Sequence, residues 1–137
     1  MDRGESLHEL ARAAAARAHA PYSGFRVGAV VRLAGGGSHV GCNVENAAFP
    51  LSGCAERHAL AAAVAATAGR PEIESVTVVA LGPDGVEVPA PPCGACRQQI
   101  VEFGPAIRVG FMASDGRRIE LPVAELLPHP FLPAALR

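Results

Sequence analysis

The chain is poor in aromatic residues and contains no tryptophan and no lysine. Only 4% of its 137 residues are aromatic, so the core has to be built mainly from Ala, Val, Leu and Ile. Half of the residues are hydrophobic, which is enough for a compact fold without disulfides. The length suits a single domain that spans residues 1–137.

Runs of basic residues and long apolar runs are also missing. The 12 basic residues are all arginine, they are scattered, and the net charge is −1. Nucleic-acid-binding proteins usually carry a basic patch, so this distribution favours a small substrate. No stretch reaches the roughly 20 apolar residues of a membrane helix. Acidic and arginine residues interrupt the N-terminal segment, which is therefore unlike a signal peptide. We expect a cytoplasmic protein that binds neither membranes nor nucleic acid.

Helical and extended patterns alternate along the chain. A helix is predicted over residues 6–19, with Ser6 and Glu9 forming a capping box. The segments 27–33 and 38–43 predict a β-hairpin around three glycines. Further predicted elements are helices at 54–68 and 93–103, strands at 76–81, 107–112 and 118–121, and a helical turn near 124–126. This alternation is typical of an α/β sandwich.

Three cysteines stand at the starts of two predicted helices. Cys93 and Cys96 form a C-x-x-C pair and Cys54 opens the earlier helix. The pair alone is typical of redox or zinc sites, but a redox motif usually follows the first strand of a βαβ unit, and this one comes late. The positive end of a helix dipole favours thiolates. Three thiolates leave one tetrahedral position open, which indicates a catalytic rather than a structural zinc.

Glu56 follows Cys54 by two residues, in the first helical turn. From there its carboxylate can reach the open metal position, take a proton from an activated water and pass it to a leaving group. Arg57 is placed to offset the thiolate charge. The alternative is a closed structural zinc with Cys42 or His58 as fourth ligand. Glu56 argues against that alternative, because a structural site does not need a carboxylate there.

Five sequence blocks occur in order: PYSGFRVGA at 21–29, GCNVENA at 41–47, CAER at 54–57, PCGACRQ at 92–98 and LLPHPF at 126–131. With these blocks the chain resembles the small, homotetrameric, zinc-dependent cytidine deaminases of pyrimidine salvage. The resemblance implies a three-layer α/β/α sandwich around a mixed five-stranded sheet. It also implies one zinc ion per subunit and active sites shared between neighbouring subunits.

The resemblance assigns roles to several residues. Asn43 and Glu45 would bind the 3′-hydroxyl of the ribose, and Phe25 would pack against the base. The backbone N–H of Ala55 would bind the base carbonyl, while Glu56 would contact N3 and the amino group. Because side chains alternate along a strand, an Asn and a Glu two residues apart project to the same side. A capped turn is the alternative for this pair, and core packing is the alternative for Phe25.

Two further roles involve charge and a neighbouring subunit. Arg57 would hydrogen-bond the ligand thiolates. Phe131 would stack on a base bound in an adjacent subunit, and core packing is again its alternative.

Two positions depart from the family pattern. Phe49 stands where the family commonly has Tyr, whose hydroxyl can reach the 5′ end of the sugar across an interface. His58 stands where the family commonly has Thr. Phe49 keeps open a modified cytosine nucleoside as substrate, as in blasticidin S deaminases. His58 could tune a thiolate, or it could be a surface or interface residue.

The predicted reaction is hydrolytic deamination of cytidine and 2′-deoxycytidine to uridine and 2′-deoxyuridine, with release of ammonia. A nucleic-acid editing deaminase is a weaker alternative, since the charge distribution argues against it. A non-catalytic zinc-binding module is the remaining alternative, and a Glu56→Gln substitution separates it from an enzyme.

Overall fold

One mixed sheet forms the centre of the molecule. The computed structural model describes residues 6–133. Within this range the strands are β1 (Arg26–Leu33), β2 (Ser38–Cys42), β3 (Ile73–Leu81), β4 (Glu87–Val88), β5 (Arg108–Met112) and β6 (Arg118–Pro122). Five strands lie in the order β2-β1-β3-β5-β6, and the short β4 pairs with the end of β3. β3 and β5 are parallel, and the other pairs are antiparallel. The expected mixed sheet is confirmed, with β4 as an addition.

Helices cover both faces of this sheet. They are α1 (Leu7–Ala15), α2 (Ala55–Ala66), α3 (Gly94–Val101) and α4 (Val123–Leu126), with a 3-10 turn at Phe49–Leu51. α1 packs on one face against Val30 and Val79. The other three helices pack on the opposite face, where Ile100 and Val123 are fully buried. The expected three-layer α/β/α sandwich is therefore confirmed. No helix within residues 6–133 combines the length and hydropathy needed to span a membrane.

Glycines allow two helices to approach the sheet closely. A Cβ on Gly28 in β1 would lie 2.0 Å from the carbonyl oxygen of Ala11 in α1. A Cβ on Gly41 in β2 would lie 2.4 Å from the backbone nitrogen of Ala59 in α2. A larger residue at either position would force the layers apart. The close packing on Gly41 brings the start of α2 next to the end of β2.

The first helix is shorter than its sequence predicts. Its capping box between Ser6 and Glu9 is confirmed. The helix nevertheless ends at Ala15, so the predicted boundary at residue 19 is wrong. The reason is a long-range pairing, because the His19 N–H donates to the Asn43 carbonyl at 3.1 Å. This contact draws the segment after α1 towards the end of β2.

Candidate active site

The three predicted metal ligands lie together at the starts of two helices. Cys54 and Cys93 are the N-cap residues of α2 and α3, and Cys96 lies in the first turn of α3. Their three Sγ atoms all lie within 4.8 Å of one another. Sulfurs this close can bind one tetrahedral zinc ion at about 2.3 Å each. Among the described residues neither Cys42 nor His58 joins the cluster, which leaves one coordination position for a small ligand.

The thiols strongly influence each other's protonation. A hydrogen bond with Cys96 lowers the pKa of Cys54 to about 6 against the opposing effect of burial, and Cys93, Arg57 and His58 lower it further. The same contact with Cys54, together with burial, raises the pKa of Cys96. One thiolate is therefore present near neutral pH, and a cation can displace the remaining protons. This donor set fits zinc.

Arg97 supports the second metal-binding helix. Its Nε donates to the Pro92 carbonyl at 2.9 Å, immediately before Cys93. Its Nη1 donates to the Leu126 carbonyl at the end of α4, also at 2.9 Å. Arg97 thus fixes the approach to α3 against the last helix.

Glu56 lies beside the thiols and is 5% exposed. Burial raises the pKa of its carboxyl above the ordinary value of 4.5, and the nearby Cys54 acts in the same direction. A hydrogen bond with Cys96 opposes this shift. Because its pKa is raised, the carboxyl accepts a proton more readily than an exposed glutamate, which suits a group that accepts a proton and returns it in one reaction cycle.

One cavity of about 580 Å³ connects Glu56 with the surface. We call its inner end, at the starts of α2 and α3, the floor; it consists of Cys54, Ala55, Glu56 and Cys93 together with the adjoining Cys96. Its mouth consists of exposed or half-buried residues in the connecting segments: Tyr22, Ser23, Phe25, Asn43, Glu45 and Phe49. Apolar side chains line the wall between floor and mouth: Val27, Val78 and Ala90. This volume lies in the range of small-molecule binding sites.

Asn43 binds the backbone next to Phe25. Its Oδ1 accepts from the Val27 N–H at 2.7 Å, and its Nδ2 donates to the Phe25 carbonyl at 2.9 Å. The side chain therefore binds a distant backbone segment rather than a local turn, whereas Asn46 caps the local turn, its Oδ1 accepting from the Ala48 N–H at 2.8 Å. An amide nitrogen has two hydrogens, so one donor of Asn43 remains for a ligand.

Glu45 binds the segment after α1. One carboxylate oxygen accepts from the backbone N–H groups of Tyr22 and Ser23 at 3.0 and 3.2 Å, and the other accepts from the Ser23 hydroxyl. The hydrogen bond from Ser23 holds the pKa of Glu45 below its usual range. An ionised carboxylate has about four acceptor positions, so at least one remains. A free acceptor on Glu45 and a free donor on Asn43 match the needs of one hydroxyl.

The aromatic residues differ in how they relate to the cavity. Phe25 lines it and is 40% exposed. Phe49 packs edge-to-face against Tyr22, with ring centroids 5.8 Å apart. Phe131 is 78% exposed and lies outside the lining of this cavity. Gln98 holds the backbone of Phe131 through two hydrogen bonds of 2.8 and 3.0 Å.

The two residues that follow Glu56, Arg57 and His58, lie in different surroundings. Arg57 is exposed and, within residues 6–133, makes no hydrogen bond to a thiol. It lines a groove between α2 and α3. His58 is half-buried, and its Nδ1 donates to the Cys42 carbonyl at 2.7 Å. His58 is thus bound within its own chain, a contact that sequence patterns did not indicate.

A family model matches the part of the sequence that carries the thiol cluster and the buried carboxyl. The model described as the cytidine and deoxycytidylate deaminase zinc-binding region covers residues 1–113. The chain belongs to this deaminase family. It is therefore a hydrolase acting on a C–N bond, and the cluster of Cys54, Cys93 and Cys96 accounts for one zinc ion per subunit.

Individual relatives agree over nearly the whole chain. The cytidine deaminase of Halalkalibacterium halodurans is 39% identical over 132 residues, covering 96% of this chain and 95% of that protein. The cytidine deaminase of Sporosarcina psychrophila is 39% identical and covers 93% of this chain and 90% of that protein. The crystal structure of cytidine deaminase from Burkholderia pseudomallei has a TM-score of 0.81 and 40% identity, covering 96% of this chain and 100% of that one.

Proposed function

We propose that the chain deaminates cytidine and 2′-deoxycytidine to uridine and 2′-deoxyuridine, releasing ammonia. The observation that carries the proposal is a single cavity with a buried carboxyl and a thiol cluster at its floor and Asn43 with Glu45 at its mouth. A cytosine nucleoside has matching ends, because its base carries the reacting amino group and its sugar carries hydroxyls. The named cytidine deaminases at 39% identity support the same substrate class.

Glu56 carries the proton transfers in this proposal. Zinc bound by the three cysteines would supply Lewis-acid activation of a water molecule. Glu56 accepts a proton from the water and donates it to N3 of the pyrimidine as the oxygen bonds to C4. It then accepts the second proton and delivers it to the amino group, so that the C4–N bond breaks and ammonia leaves. Its burial beside the thiols supports this role.

The floor and wall would orient the base. Ala55 is the first residue of α2, where backbone N–H groups have no partner within the helix. This N–H would donate to the carbonyl oxygen of the pyrimidine. Phe25 packs against the ring, while Val27 and Val78 exclude water from the reacting end.

Asn43 and Glu45 would bind the 3′-hydroxyl, using the donor and the acceptor that their internal contacts leave free. A phosphate at the same position would be repelled by the Glu45 carboxylate. This arrangement favours free nucleosides over nucleic acids. Cytidine 3′-phosphate tests the point directly, and turnover of it at the rate of cytidine would contradict the proposed sugar site.

A modified cytosine nucleoside is the second candidate substrate, and Phe49 is the observation that favours it. The ring lines the mouth without a hydroxyl and is 69% exposed. Parallel assays of cytidine, 2′-deoxycytidine and blasticidin S separate the candidates. We expect the two simple nucleosides to react faster, and a strong preference for blasticidin S would overturn the cytidine assignment.

We further propose a homotetramer with active sites shared between subunits. Support comes from Phe131, whose backbone is held by Gln98 while its exposed side chain lies outside the lining of its own cavity. Phe131 would stack on a base in an adjacent subunit. Arg57, whose charge lowers the pKa of Cys54, would offset the ligand charge. Residues 1–137 would form one domain acting in cytoplasmic pyrimidine salvage.

A further inference from the structure

The ring of His58 contacts two backbone segments at once. Its Nδ1 donates to the Cys42 carbonyl at 2.7 Å, directly before Asn43. Its other edge lies against Gly53, the residue before Cys54. A Cβ on Gly53 would lie 2.3 Å from Nε2 and 2.5 Å from Cε1 of the ring. The imidazole therefore occupies the space that a side chain at position 53 would need.

These two segments are also bridged to each other. The Val44 N–H donates to the Gly53 carbonyl at 3.1 Å, and the Gly53 N–H donates to the Val44 carbonyl at 2.9 Å. Val44 is 45% exposed, so water can compete for this short bridge. His58 adds a hydrogen bond on one side of the bridge and ring packing on the other.

His58 is itself fixed to the metal-binding helix. It lies one turn after Cys54 in α2, and its backbone N–H donates to the Cys54 carbonyl at 3.2 Å. A contact from this helix to Cys42 therefore joins the two ends of the cavity. Asn43, which directly follows β2, is thereby held at a fixed position relative to the ligand Cys54.

We propose that His58 is a positioning residue that fixes the Asn43–Glu45 segment relative to the thiol cluster. Its effect on substrate binding rests on the proposed sugar-binding role of that segment. A nucleoside must reach the floor and the 3′-hydroxyl site at the same time. If the Asn43–Glu45 segment can move relative to the thiol cluster, the contact with the sugar therefore weakens more than the reaction at the base slows.

The first test compares cytidine with 3′-deoxycytidine, which lacks the hydroxyl that the segment would bind. We expect His58→Ala to reduce the preference for cytidine, as the ratio of the two kcat/KM values, by about fivefold to tenfold, the value of one hydrogen bond. The reduced preference should come mainly from a higher KM for cytidine. A ratio of two substrates does not depend on the fraction of protein that is folded, so general destabilisation would leave it unchanged.

Two variants serve as controls for this ratio. His58→Asn places an amide N–H near the position of Nδ1 and should recover part of the preference. His39→Ala removes another half-buried histidine, from β2, and should leave the preference at its wild-type value. Provided that Asn43→Ala does reduce the preference, an unchanged ratio in His58→Ala, or an equal loss in His39→Ala, would overturn the proposal.

The second test uses the packing of the ring against Gly53. Gly53 is not among the glycines with positive φ in the described chain, so alanine can adopt its backbone. In the wild type, Gly53→Ala should lower the free energy of unfolding, because the added Cβ meets the ring. In His58→Ala the same substitution should change the free energy of unfolding little, because the space is free. Additive effects of the two substitutions on the free energy of unfolding would contradict the proposed packing.

Zinc transfer to a chelator gives a readout that is independent of activity. We expect His58→Ala to release zinc several-fold faster than the wild type, because Gly53 and Cys54 are held less firmly. An unchanged release rate would contradict the link to the thiol cluster. Asn43→Ala separates the two proposals: if it leaves the cytidine preference intact, the proposed sugar site fails, whereas the release rate and the Gly53 test still decide the role of His58.

Discussion

The floor and the mouth of the cavity are built in different ways. The floor uses two helix starts, and its Ala55 and Glu56 are 0% and 5% exposed. The mouth uses connecting segments, and its Tyr22 and Phe49 are 56% and 69% exposed. The thiols and the carboxyl are thus held at helix starts within one chain. Exposed apolar groups at the mouth are typical of surfaces that bind ligands or other subunits. In the proposed function the chemistry belongs to the floor and the choice of substrate to the mouth.

The largest effect on the floor is expected from removing a buried metal ligand. Cys96 is fully buried, so Cys96→Ala should abolish zinc binding and reduce deamination to background. Metal analysis of the purified protein and a uridine assay check both effects. Cys42→Ala is the matched control, because the Cys42 thiol lies outside the cluster. Retained zinc and activity in Cys96→Ala would exclude the proposed ligand set.

Replacing the carboxyl should separate chemistry from metal binding. Glu56→Gln keeps the size of the side chain but cannot transfer protons. We expect kcat to fall by about 10²–10⁴-fold with the zinc content unchanged. Glu125→Gln, on the exposed surface of α4, should behave like the wild type. A Glu56→Gln enzyme within a fewfold of wild-type kcat would remove this residue from the mechanism.

A change at the mouth should have a smaller and different effect. Asn43→Ala removes two hydrogen bonds to the backbone of Phe25 and Val27. We expect the free energy of unfolding to fall by about 2 kcal/mol and KM for cytidine to rise about tenfold. Denaturant unfolding and steady-state kinetics measure the two effects. A loss confined to kcat would contradict the separation between floor and mouth.

The smallest expected effect concerns pH. Ser23 holds the pKa of Glu45 below 4.5, so the carboxylate and its contacts persist as the pH falls towards that value. In Ser23→Ala the pKa of Glu45 should move upwards. The rise in KM on acidification should therefore begin at a higher pH in the variant. KM measured between about pH 4 and pH 7 checks this, and superimposable profiles would show that Ser23 does not set the pKa of Glu45.

The same contrast explains how much the sequence could predict. The floor follows from local patterns, because Cys54, Glu56 and the C-x-x-C pair stand at fixed spacings at helix starts. The overall α/β/α fold follows from alternating hydrophobic patterns. The end of α1 was predicted wrongly because a pairing between His19 and Asn43, 24 residues apart in sequence, decides it. Local propensity carries no information about such a contact.

Other features of the molecule could not be predicted from sequence patterns for the same reason. β4 has only two residues and exists through its pairing with β3, so no periodicity marks it. The contact of His58 with Cys42 spans 16 residues and depends on the missing side chain of Gly53. Asn43 binds the backbone of Phe25 and Val27, which are distant in sequence, and keeps a free donor, and no local pattern indicates either contact.

The central claim is that zinc held by Cys54, Cys93 and Cys96 enables this chain to hydrolyse the bond between C4 and the amino group of cytidine. The most direct test is to add zinc stepwise to metal-free protein and follow conversion of cytidine to uridine. Activity should rise in proportion to the added zinc and level off at one ion per chain. Full turnover by the metal-free protein, or no turnover once the three thiols have bound zinc, would contradict the account.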